Sequence, residues 1–90
     1  MANLEHLNIL KQSVEVWNKW WAENPASTPD LSHACLNGAE LVDANLQDGN
    51  LVGARIRRAN LCGANLMFAN LQRADLCDSR FGLAMLAGAN

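Results

Sequence analysis

The chain has 90 residues, a formal net charge of −2 and 50% apolar residues, of which only five are aromatic. Its length makes one domain, and a charge so near zero argues against a nucleic-acid binder or an acidic tail. No apolar run approaches the roughly 18 residues that a membrane span needs, so no membrane contact is expected.

Residues 1–24 have helical period. Leu7, Leu10, Val14, Trp17 and Trp21 fall at steps of three and four, placing one apolar stripe on one face. The spacing predicts a single amphipathic helix with Asn3 as N-cap. Pro25 cannot continue it and drives Asn24 out of helical geometry. The acids and amides of MANLEHLNILKQSVEVW, with no basic head or small-residue cleavage site, do not make a secretion signal. Residues 25–30, PASTPD, read as a linker.

From Leu31 onward the period changes to five. Leu31, Leu36, Leu41, Leu46, Leu51, Ile56, Leu61, Leu66, Leu71, Leu76, Phe81 and Leu86 are all apolar, and ten of the twelve are Leu. Two residues before each next position stands Ala, except at Gly49 and Ser79. Asn or Asp most often separates Ala from Leu. This is an internal repeat. On an α-helix a step of five spirals the leucines round every face. On a flat strand successive leucines alternate faces. The period is satisfied if the chain bends at each repeat and coils, with Leu and Ala inward. The coils then stack as parallel strands.

Tandem A(D/N)Lxx over residues 29–90 resembles the pentapeptide-repeat family. The helix with VWNKWW, followed by a Pro-rich linker, looks like the N-terminal cap of cyanobacterial members. The resemblance implies a β-solenoid: a right-handed quadrilateral parallel β-helix of about three coils with an N-terminal capping α-helix. It implies four pentapeptides per coil, so residues twenty apart stack. The charge pattern agrees. At offset twenty Arg55 meets Asp75 and Arg58 meets Asp78 with no like-charge pair, whereas offsets of fifteen and twenty-five each bring two arginines together. The twelve Leu-type residues then form four columns. The first layer is open for the Trp-bearing helix to plug. The last, Leu71/Leu76/Phe81/Leu86, is expected to be bare, with the repeat unfinished after Asn90 or continued by a longer rod.

Candidate site residues are few. His6, on the polar side of the helix, and His33, outside the coil, have no Cys, Asp or second His at ligand spacing, so no metal is expected. Cys35, Cys62 and Cys77 fall on three different sides of a four-sided coil. They should not pair, and reduced thiols fit a cytoplasmic protein. The Asn ladder at positions 45/65 and 50/70/90 suits corner geometry. Arg55, Arg57 and Arg58 form the basic cluster, with Arg57 expected to stand alone. Met67, Phe68, Leu83 and Met85 are apolar where other repeats are polar or Gly, and such groups mark interfaces.

No acid/base pair or nucleophile triad appears, so neither catalysis, cofactor nor small-molecule substrate is expected. Acidic family members mimic DNA and bind DNA gyrase. Residues 31–90 here hold five acids and five bases, a poor copy of a duplex carrying one charge per about 1.7 Å. The reading is a non-catalytic scaffold or interaction module. Its expected partner is a protein, or a second copy, meeting the open C-terminal end.

Overall fold

The computed structural model describes residues 3–24, 26, 28–86, 88 and 89. Asn3 caps the first helix as expected: its side-chain oxygen accepts from the Glu5 and His6 amides at 2.9 and 3.3 Å. The expected single helix is two. α1 runs Leu4–Gln12 and α2 runs Val14–Glu23, with Ser13 between them at φ −175°, ψ 161°. The Ser13 hydroxyl accepts from the Val16 amide at 3.1 Å. A serine that captures a backbone amide starts a new helix more readily than it continues an old one. The elbow turns Leu10 and Trp17, both buried, onto the same body. Asn24 leaves helical geometry at φ −129°. Pro25, the expected helix breaker, lies outside the described residues, as does Asn90 of the expected ladder.

From Asp30 the chain turns a corner every five residues. In each repeat the second residue after the Leu-type residue has a positive φ: eight non-glycines (His33, Asp43, Asp48, Arg58, Phe68, Arg73, Asp78 and Leu83) and four glycines. At most corners the next amide returns to the Leu-type carbonyl, as from Ala34 to Leu31 at 3.1 Å. Positive φ at the third of four residues is the mark of a type II turn.

Eight parallel bridges, from Asp30↔Asn50 to Asn65↔Met85, all join residues twenty apart. Four pentapeptides therefore make one coil. The stacking is by single-residue bridges rather than the expected strands, because corners five residues apart leave no room for longer ones. Three main-chain hydrogen bonds join successive coils at a corner. At one, Asn60 donates to Ala39, Leu41 to Asn60 and Asp43 to Cys62, at 2.8–3.0 Å.

The Asn and Asp before each Leu serve the corner as expected, by hydrogen-bonding the local backbone. They do not occupy the positive-φ sites. Asp30, Asn45, Asn50, Asn60, Asn65, Asn70 and Asp75 each accept, through Oδ1, from the amide two residues on, at 3.0–3.2 Å. These Asx turns bend the chain into the corner.

The core is graded along the axis. Leu31, Leu36, Leu41, Leu46, Leu51, Ile56, Leu61 and Leu66 are buried, as is the Ala set Ala34, Ala44, Ala54, Ala59, Ala64 and Ala69. In the third coil Leu71, Leu76 and Phe81 are only partly buried, and Leu86 is 46% exposed.

Candidate functional site

Two ends and one side of the coil stack hold the chemistry. A coil presents the same main-chain groups toward its N-terminal side at every corner. The residue before Leu offers both its N–H and its C=O, and the residue after Leu offers its C=O. At the first coil these groups have no preceding coil to pair with. The helices supply substitutes at two corners. At Asp30 the N–H donates to His6 Nδ1 at 3.0 Å, and the C=O accepts from the Asn3 amide at 2.9 Å. At Asn45 the N–H donates to Asn18 Oδ1 at 2.7 Å, and the C=O accepts from Trp17 Nε1 at 2.7 Å. Asn18 Nδ2 also donates to the Asp43 carbonyl at 3.0 Å. The Asn18 amide thus stands in for the peptide of a missing coil.

Of the expected capping residues, Leu10 and Trp17 are buried, while Leu7, Val14 and Trp21 are partly buried against the core. His6 is not on a free polar face as expected. It is half-buried, with its ring 4.7 Å from that of Trp20. Trp17 in turn lies 5.0 Å from Trp20. The apolar period marked Trp17 but not its neighbour Asn18, because a polar residue on an amphipathic helix looks solvent-facing until the edge it matches is known. Asn18 and His6 are therefore residues that sequence reasoning missed; Asn3 was expected as the helix cap, but not the bond from its backbone amide to Asp30.

Burial works against the Asp30 carboxylate. The Ser32 hydroxyl and amide, donating at 2.8 and 3.2 Å, more than offset it and hold the group below the usual carboxylate range.

On the coil's side the expected Arg55–Asp75 and Arg58–Asp78 pairs do not form. Arg55 and Asp75 bridge through their backbones, but the ion pair is Arg57 Nε to Asp75 Oδ2 at 2.9 Å. The Asx turn explains the change. It swings the Asp75 carboxylate toward Cys77, whose stacked neighbour is Arg57. The Cys77 thiol and amide, and then Arg57, hold the Asp75 carboxyl below its usual range. Arg57, expected to stand alone, is the paired one. At 58% and 39% side-chain exposure the pair adds little stability.

At the C-terminal end the exposed apolar residues gather. Phe68 is 59%, Met85 48% and Leu83 95% exposed, while Met67 is half-buried. The Phe68 ring lies over Gly88, where an added Cβ would stand 2.5 Å from Phe68 Cδ1. Met85 bridges Asn65, within three residues of Phe68. Leu86, 46% exposed, extends this patch. Among the described residues, no main-chain partner is found for the amides of Leu76, Phe81 and Leu83. Cys35, Cys62 and Cys77 are free thiols. Among the described residues no group of His, Cys, Asp and Glu is placed to hold a metal, and no helix is long and apolar enough to cross a membrane.

A family model described as pentapeptide repeats matches residues 30–63, 50–82 and 64–90. No curated protein matches the chain. Among solved structures, one similar chain is a pentapeptide-repeat protein from the Arabidopsis thaliana thylakoid lumen. It is 31% identical over 68% of this chain and 42% of its own, with a TM-score of 0.67. Another is a pentapeptide-repeat protein from the cyanobacterium Cyanothece 51142, 35% identical over 67% of this chain and 39% of its own, with a TM-score of 0.61. The chain spans about two-fifths of the length of these structures.

Proposed function

We propose that this chain, which belongs to the pentapeptide-repeat family, is a non-catalytic β-solenoid that works by docking another protein surface on its C-terminal end. The twenty-residue stacking supports a four-sided coil, and we assign the right hand from membership of the family. The observation that carries the reading is the contrast between the two ends. The first coil is plugged by Trp17, Leu10 and two sets of edge-matching polar groups. On the opposite side of the stack Leu86, Met85, Leu83 and Phe68 are exposed, and among the described residues the amides of Leu76, Phe81 and Leu83 have no main-chain partner. Exposed, contiguous apolar surface with open edges is an interface in waiting. The inside offers no alternative, because Leu and Ala fill the first two coils. A second copy of the chain is the simplest partner, each end covering the other; a different protein is the alternative. The balanced charge of residues 31–90 does not favour the DNA-mimic role. The three free thiols suit a reducing compartment, and we assign the cytoplasm on that chemistry.

Light scattering over a concentration series, for wild type and Leu86→Lys, tests the reading. Mass that rises with concentration in wild type alone supports it. A monomer in both that also binds no protein through this end removes it. Inhibition of gyrase supercoiling would instead restore the DNA-mimic role.

A further inference from the structure

We propose that the groove between the α1–α2 elbow and the Glu40 corner is a second binding site, which accepts an extended, basic peptide segment as an added parallel strand. Among the described residues the cap's hydrogen bonds close the Asp30 and Asn45 corners of the first coil. At the Glu40 corner, among the described residues, neither the Glu40 N–H and C=O nor the Val42 C=O has a main-chain or side-chain partner. One coil later, the same three groups of Asn60 and Cys62 are satisfied by Ala39, Leu41 and Asp43. A segment that matched this corner would offer a carbonyl at its first residue and amides at its third and fifth. That is the pattern of strand addition to an open edge.

The surroundings fit such a segment. The groove is walled on one side by Leu10, Val14 and Asn18, and on the other by Leu41, Val42 and Glu40. Val14 is partly buried and Val42 exposed, so apolar surface is available beside the open edge. The charges are one-sided. Glu15, Glu40 and Asp43 line the groove against Lys11 alone. An acidic rim selects a peptide carrying Lys or Arg at its flanks. A small first residue and an apolar third one repeat the Ala39 and Leu41 arrangement. This site lies at the opposite end from the proposed docking face and does not depend on it.

The probe is the blocked peptide Lys-Ala-Asn-Leu-Arg-Lys, followed by amide shifts of the full chain and by titration. Binding should move the Glu40 and Val42 signals. Methylating the peptide nitrogens of Leu and the last Lys removes two donors and should weaken binding by about tenfold or more. Glu40→Pro removes the acceptor's counterpart N–H, which no intramolecular bond uses, and should do the same. Glu40→Lys keeps the N–H and should weaken binding through charge, with a shallower salt dependence. Leu86→Lys should leave the affinity unchanged. The proposal is overturned by an absence of binding, by equal affinity of the methylated peptide, or by wild-type affinity of Glu40→Pro. It is also overturned if the groove proves to be filled by a second copy that the peptide cannot displace.

Discussion

Trp17 donates its indole N–H to the main-chain carbonyl of Asn45 at 2.7 Å, across 28 residues of sequence. The adjacent Asn18 accepts the amide of the same Asn45. Two side chains of one helix thus close both main-chain groups of a coil corner. The cap is fitted to the edge by hydrogen bonds as well as by apolar surface.

Asn18→Leu should therefore be costly although the helix would tolerate it. The change strands the Asn45 amide, and a stranded, partly buried donor costs about 1–3 kcal/mol. Trp17→Phe keeps most of the packing and strands the carbonyl instead, at a similar or smaller cost. Chemical denaturation of both variants checks this. Equal stability of Asn18→Leu and wild type would mean that solvent serves that edge equally well.

Leu66 is buried in the middle coil, whereas Leu86 is nearly half exposed in the last. Leu66→Ala should cost about 2–5 kcal/mol through the cavity it leaves. Leu86→Ala, in dilute monomer, should cost far less. The comparison is by melting under matched conditions, and similar losses would contradict the graded core.

Leu83 holds a φ of 61° with 95% of its surface exposed. The left-handed conformation costs a non-glycine about 1–2 kcal/mol, and this side chain returns no packing within the chain. Leu83→Gly should raise the dilute-solution stability by about 0.5–1 kcal/mol after the extra freedom of glycine when unfolded. Gly88→Ala should do the reverse, because its φ is 73° and the new methyl would meet the Phe68 ring. A fall in melting temperature for Leu83→Gly would show that the turn needs its side chain.

Asp30 and Asp75 both have carboxyls held below their usual range. A group whose pKa is lower folded than unfolded adds stability above its unfolded pKa, near about 4. That contribution is lost as pH falls through the folded value. Stability should thus decline below roughly pH 4. Asp30→Asn keeps an oxygen for Ser32 but cannot titrate, so its acid decline should be shallower. Identical acid profiles would remove Asp30 from this account.

Much of the fold was legible. The five-residue Leu period and the Ala between define inward positions without any structure, and the repeat's resemblance supplied the twenty-residue stack. What the pattern hid was local chemistry. Ser13 breaks the cap because one hydroxyl competes for an amide, a choice that apolar spacing does not record. Arg57, not Arg55, takes Asp75 because the Asx turn redirects the carboxylate. Positive φ falls on residues as unlike as Phe68, Arg58 and Asp48, since the corner is imposed by stacking and not by each residue's preference. The edge contacts of His6, Asn18 and the Asn3 amide depend on the position of an edge that only the folded coil creates.

The docking role of the C-terminal end is tested most directly by amide hydrogen exchange at Phe81 and Leu83, read across a concentration series. Neither amide has a main-chain partner among the described residues, so both should exchange fast in dilute protein. The account predicts protection that grows with concentration, or on adding the partner protein, and that Leu86→Lys abolishes. Fast exchange at both positions under every condition would contradict it.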